Sequence, residues 1–227
     1  MNDRPEGRKK NRDEIALAYK SEPWWYDLRG FFILTFAYNS TLPRQLRFFG
    51  RHIGARHLEV GIGTGTLEAY VLRWRRRHNM PPQHIVGVDY AESMLAGAIR
   101  RFRGRTDMEF LHADAADMPL DDASFDTASI ANSVHCFPDV TGALAEIFRV
   151  LKPGGTLAVN ALLYPRGVWP LRQIAEWINN WGIRKGILYS PLRAEQFRDQ
   201  LVAAGYTIES EAISGNCYEV VARRPAR

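Results

Sequence analysis

The chain has 227 residues, 46% hydrophobic and 11% aromatic, enough to bury a sizeable core and to exclude global disorder. Its formal charge is +5, no apolar run approaches the roughly 20 residues a membrane helix needs, and two cysteines cannot build a disulfide framework. One soluble domain over residues 15–227, cytoplasmic and without membrane insertion, is therefore expected. The mixed charges of residues 1–14, which lack an apolar core, argue against a secretory or transit signal and read as a flexible tail.

Residues 15–50 are too aromatic for a solvated tail and read as a helical cap; they carry Tyr19, Trp24, Trp25, Tyr26, Phe31 and Phe32 among others. His57–Gly61 is a short apolar strand, and Thr66–Arg77 follows as a helix with Leu67, Tyr70, Val71 and Trp74 on one side. His84–Asp89 repeats the strand, Ser93–Phe102 the helix. Met108–His112 and Phe125–Ala131 are the third and fourth strands, the latter after the turn-rich Leu120–Ser124. From Pro138 the positions Val140, Leu144, Ile147, Phe148 and Leu151 have helical spacing until Lys152-Pro153-Gly154-Gly155 stops the helix, and Thr156–Leu163 is a fifth strand. Pro170–Trp181 is an additional helix ended by Gly182. Ser190 and Pro191 supply the N-cap and first position of a helix carrying Leu192, Phe197 and Leu201, which Gly205 ends. Tyr206–Ile213 and Cys217–Ala222 close the chain as a hairpin about Ser214-Gly215-Asn216.

Alternating strands and helices require a parallel sheet covered on both faces, with ligands at the carboxyl ends of its strands. Glu59, Asp89, Asp114 and Asn132 all fall there. Gly61, Gly63 and Gly65 let the backbone turn tightly from strand to helix and let a ligand approach the main chain. Glu59, just before them, would repel a pyrophosphate and favours a cationic ligand such as the aminoacyl sulfonium of S-adenosylmethionine. Thr66 stands where a dinucleotide fingerprint wants its last glycine, which weakens the alternative of an NAD-dependent oxidoreductase.

Five motifs in order resemble the class I S-adenosylmethionine-dependent methyltransferases, in the small-molecule group that includes the quinone C-methyltransferases. They are Glu59–Gly65, Val86–Asp89, Asp114–Leu120, Ser124–Asp126 and Val150–Gly155, within about residues 55–160. The resemblance implies an α/β fold: a Rossmann-like seven-stranded, mostly parallel sheet with a C-terminal antiparallel hairpin and helices on both faces. It divides the domain into an N-terminal helical cap (15–50), a cofactor-binding core (51–163), a lid insert (164–189) and a C-terminal helix and hairpin (190–227). It makes Asp89 the ribose ligand, Asp114 and the Ala115 amide the readers of adenine, and Gly61, Gly63 and Gly65 the seat of the methionine portion. Glu59 would offset the ammonium directly or through water, and Asn132 and Ser133 would lie near the sulfonium. The cap and lid would enclose an apolar, flat acceptor, with Tyr19, Tyr26, Tyr164 and Trp177 as its candidate ligands.

Methyl transfer can proceed by positioning alone, whereas oxygen and carbon nucleophiles usually need deprotonation, for which His135 is the first candidate base. The expected acceptor is a small aromatic or apolar metabolite methylated at oxygen, nitrogen or carbon. A nucleic-acid methyltransferase is the nearest rival. Asn132 is followed by Ser133-Val134-His135 and not by the Pro-Pro-aromatic device for base amines, and the arginines at 44–51, 73–77 and 100–105 read as solvated helix faces. A non-catalytic protein that keeps the cofactor site is a third reading. No His/Asp cluster has metal-ligand spacing.

Overall fold

The computed structural model describes residues 40–165, 169–184 and 192–226. Seven strands form one sheet: β1 (Arg56–Val60), β2 (His84–Asp89), β3 (Met108–His112), β4 (Phe125–Ile130), β5 (Leu151–Leu162), β6 (Thr207–Ser214) and β7 (Cys217–Arg223), in the order β3-β2-β1-β4-β5-β7-β6. The pairings β1·β2, β1·β4, β2·β3 and β4·β5 are parallel, while β7 runs antiparallel to both β5 and β6. The strand order reverses direction at β1, which lies between β2 and β4. In an open α/β sheet that is where a crevice opens at the carboxyl ends.

Among the described residues the helices are α1 (Leu42–Arg51), α2 (Thr66–Arg77), α3 (Glu92–Arg101), α4 (Val140–Val150), α5 (Leu171–Arg184) and α6 (Ala194–Ala203). They cover both faces because the central strands are apolar on both sides. On one face Leu58, Val60, Ala128, Ile130 and Val159 pack with Leu144 and Ile147 of α4 and with Phe197 and Leu201 of α6. On the other, Ile85 packs with Leu72 of α2 and Leu95 and Ala98 of α3, while Phe49 of α1 and Val71 of α2 reach Ala158. Each fully buried large side chain contributes about 1.5–3 kcal/mol, and Phe125, Phe197, Leu58 and Ile130 are among them.

Four sequence expectations need correction. Strand β5 begins at Leu151, so Lys152-Pro153-Gly154-Gly155 is not a bare helix stop. Leu151 is already extended and pairs with Phe125, and Gly154 and Gly155 exchange backbone hydrogen bonds with Arg224 (both 2.9 Å). Helix α5 runs through Gly182 to Arg184. Helix α6 begins at Ala194 with Arg193 at its N-cap; Leu192 cannot be helical because its amide bonds to Leu162 O (2.8 Å), which ties it to the end of β5. Ser190 and Pro191, expected as the cap, lie outside the described residues. Finally, Arg75 is not on a solvated face: it is buried, and its guanidinium donates to Gly50 O (2.6 Å), Pro81 O (2.9 Å) and Gln83 Oε1 (3.2 Å). No described helix is long and apolar enough to cross a membrane.

Candidate cofactor cleft

A cleft of about 780 Å³, its open mouth included, lies at the carboxyl ends of β1, β2 and β4. Gly61, Gly63, Asp89, Asp114, Ala115 and Asn132 line it, together with Tyr90, Met94, Ser133, Cys136 and Phe137. Six of the expected cofactor residues thus converge on one cavity.

The turn after β1 is held from below. The amides of Gly61 and Ile62 donate to Val88 O (2.8 and 3.1 Å), and the Gly63 amide donates to Asp89 Oδ2 (2.7 Å). Asp89 Oδ1 accepts from the Ala91 amide (2.8 Å), and Arg101 donates to Thr64 O (2.9 Å) and Thr66 Oγ1 (2.7 Å). The amides of Gly61, Ile62 and Gly63 are therefore committed within the fold, and the glycines give the cleft room more than donors. Their reasons differ. A Cβ on Gly61 would meet Ser133 Oγ at 2.5 Å and one on Gly65 would meet the Phe102 ring at 2.5 Å, so both allow close packing. At Gly63 (φ 58°) a Cβ would meet nothing within 4 Å: that backbone faces open space. Gly65 itself is not among the cleft's lining residues.

Burial raises the Asp89 carboxyl above its ordinary value, and the Ala91 and Gly63 amides oppose that shift. The Tyr90 backbone also bonds to this carboxylate, so about one of its roughly four lone-pair directions is left for a further donor. Asp114 Oδ1 accepts from the Ala116 amide (3.0 Å) and Asp114 O from the Asp117 amide (3.0 Å), a local turn that presents Ala115 to the cleft. Asn132 takes a left-handed backbone, φ 56°, as the chain leaves β4. Its amide and side chain hydrogen-bond with Asn160 and Gln45, two buried amides that were not among the sequence candidates. The available signal was Asn160 itself, a polar residue inside the apolar run Leu157–Leu162, because a buried amide there needs a partner.

Glu59 lies beneath the loop and not on the cleft lining, 3% exposed. Parallel pairing sets it beside Ser129, whose hydroxyl donates to its carboxyl, and the Ala131 backbone also bonds to it. Two residues earlier, His57 Nδ1 lies 2.8 Å from Thr127 Oγ1 and Nε2 2.9 Å from Ser129 Oγ. The Gly54 amide donates to Thr127 Oγ1 (2.8 Å). With the proton on Nε2, an assignment made from these partners, the bonds run in one direction from Gly54 through Thr127, His57 and Ser129 to Glu59. Burial lowers His57 to about 4 and raises Glu59 to about 8. At pH 7 both are neutral, so their 3.5 Å approach is not an ion pair. Glu68 of α2, pushed up to about 8 by burial and then by Glu59, completes this cluster with Arg75.

His135 sits in a short 3₁₀ turn, Val134–Cys136, and is buried; its neighbours Cys136 and Phe137 line the cleft, and His135 does not. Burial lowers its imidazole to about 4. Tyr164 lies under the Arg193 guanidinium (5.5 Å to the ring centroid), and Trp177 on α5 is 65% exposed; neither lines the cleft. Tyr19 and Tyr26 lie outside the described residues. No group of three or more His, Cys, Asp or Glu residues able to hold a metal occurs among the described residues.

Residues 58–159, the segment that builds β1 to β5 and the cleft, match the family described as a methyltransferase domain. Over that segment, which is less than half of its length, the chain is similar to a methyltransferase domain. It is similar to a demethylmenaquinone methyltransferase of Thermus thermophilus (42% identical over 105 residues, 46% of each chain) and to one of Clavibacter sepedonicus (38% over 106 residues, 47% of this chain and 40% of that one). The chain thus spans less than half the length of these curated relatives. Among solved structures, a SAM-dependent methyltransferase from Aquifex aeolicus shares the fold with a TM-score of 0.65 at 20% identity, covering 90% of this chain and 100% of that one.

The methyl donor of such a domain is S-adenosylmethionine, and the cleft suits it. Gly63 leaves open space at the loop, and the lining is acidic and apolar with no phosphate-binding cation among its residues. Asp89, Asp114, Ala115, Gly61 and Gly63 are the lining residues that could hold such a cofactor.

Proposed function

We propose that this protein transfers a methyl group from S-adenosylmethionine to a small aromatic or apolar acceptor. The observation that carries the reading is Asp89, set at the end of β2, anchored to the Gly63 and Ala91 amides and open to the cleft beside Asp114. Bound S-adenosylmethionine supplies an electrophilic methyl on a sulfonium. The chain's part is to orient it and to keep the site dry, which alone lowers the barrier substantially. Asp89 fixes the nucleoside by charge-assisted hydrogen bonds, and Met94, Phe137 and Val88 supply apolar wall. The names of the relatives, demethylmenaquinone methyltransferases, favour an acceptor of quinone type.

The test is label transfer from methyl-labelled S-adenosylmethionine by the full chain, offered reduced demethylmenaquinone analogues, simple phenols and bulk RNA at low and high salt. Label should enter an aromatic small molecule with little salt dependence. Label entering RNA, with activity falling steeply as salt rises, would overturn the acceptor class in favour of a nucleic acid.

A further inference from the structure

Asn132 pairs an uncommon backbone with an unusually complete set of side-chain partners. Asn160 Oδ1 accepts from the Asn132 amide (2.6 Å) and Asn160 Nδ2 donates to Asn132 Oδ1 (2.7 Å). Asn132 Nδ2 donates to Gln45 Oε1 (3.0 Å), and Gln45 Nε2 approaches Asn132 Oδ1 at 3.4 Å. Reversing Asn160 would set its NH₂ against the Asn132 N–H, donor against donor, so its orientation is fixed by the network. Gln45 and Asn160 are 1% and 0% exposed, which leaves neither amide an aqueous alternative.

We propose that Gln45 and Asn160 are positioning residues that hold Asn132 in its left-handed conformation and so set the wall of the cofactor cleft, making α1 a working part of that site. The inference rests on the cofactor reading above. A non-glycine residue at φ 56° persists only where its surroundings over-determine it, and these bonds do so. The consequence passes along the chain. Ser133, the next residue, donates from Oγ to Val60 O (3.1 Å) and closes on Gly61, where even a Cβ would collide with it. The backbone at Asn132 therefore sets the gap between the β4 wall and the glycine turn. Helix α1 is anchored independently by Arg44, whose guanidinium holds the Glu219 carboxylate of β7 (2.7–3.0 Å), and Glu219 is the cross-strand partner of Asn160. Displacing α1 thus pulls on Asn132 through Gln45.

A double-mutant cycle read by calorimetric titration of S-adenosylhomocysteine tests this, since glycine adopts positive φ without help from side chains. Gln45→Leu should weaken binding about tenfold in the wild-type background, as for one lost buried hydrogen bond. In the Asn132→Gly background the same substitution should cost less than about threefold. Hydrogen exchange of the Asn132 amide should accelerate in Gln45→Leu. Should that variant fail to fold, Gln45→Met, which fills the space without the amide, carries the same comparison. An equal loss in both backgrounds, or unchanged affinity, would overturn the proposal. Wild-type protein that folds but does not bind S-adenosylhomocysteine would instead sink the cofactor reading, and the proposal with it.

Discussion

Gly63→Ala and Gly65→Ala should separate cofactor binding from packing, because the two glycines have the same backbone handedness and different surroundings. Both have positive φ, 58° and 71°, so an alanine at either costs about 1–2 kcal/mol of backbone strain. At Gly65 the new methyl also meets Phe102 Cε2 at 2.5 Å, a buried ring stacked on Phe110. Overpacking of that kind adds about 1–3 kcal/mol, for a total near 2–5 kcal/mol. At Gly63 it meets nothing within 4 Å and would occupy open space at the cleft where the proposed cofactor would lie. Urea unfolding should therefore rank Gly65→Ala as the less stable, while titration with S-adenosylhomocysteine ranks Gly63→Ala as the weaker binder, by tenfold or more. The same rank order in both assays would refute the division of roles among the glycines.

Asp89→Asn keeps one acceptor but cannot serve both the Gly63 and Ala91 amides, so it should lose about 1–3 kcal/mol of stability in urea unfolding and weaken S-adenosylhomocysteine at least tenfold; affinity within twofold of wild type would remove Asp89 from the site. His135→Ala should lower the melting temperature and reduce turnover and cofactor affinity together, as its burial outside the cleft lining implies; turnover falling alone would restore the general-base role expected from sequence. Glu59 and Glu68 sit near 8 when folded against an ordinary 4.5, so the native state binds the extra protons and stability falls as pH rises from 6.5 to 8. Below 6.5 the buried His57 and His135, near 4, oppose this by losing stability as pH falls. Glu59→Gln should flatten the alkaline limb of a thermal-denaturation series and change S-adenosylhomocysteine affinity at pH 7 by less than about threefold; a tenfold loss would show Glu59 ionising toward the ligand's ammonium.

Much of the core was legible because its elements are bounded by clear signals. Thr66–Arg77, His84–Asp89 and Met108–His112 occupy the residues expected of them, each an apolar pattern closed by a turn or an acid. Asp89 and Asp114 were legible as strand-end carboxylates for the same reason. What escaped depends on partners remote in sequence. Nothing near Gln45 indicates that it meets Asn132 and Asn160, and nothing near Arg75 indicates that Gly50 O and Pro81 O will take it from solvent. Leu192 reads as helical until its hydrogen bond to Leu162 O is seen. Glu59 is instructive in another way. Its place before the glycines suggests a ligand, yet period-two alternation puts it on the side of β1 shared with His57, where Ser129 waits on β4.

The most direct test of the account is isothermal titration of the full chain with S-adenosylhomocysteine and, separately, with NADH. One S-adenosylhomocysteine per chain should bind, with affinity lost in Asp89→Ala, and NADH should not. A folded protein that binds NADH and ignores S-adenosylhomocysteine would contradict it.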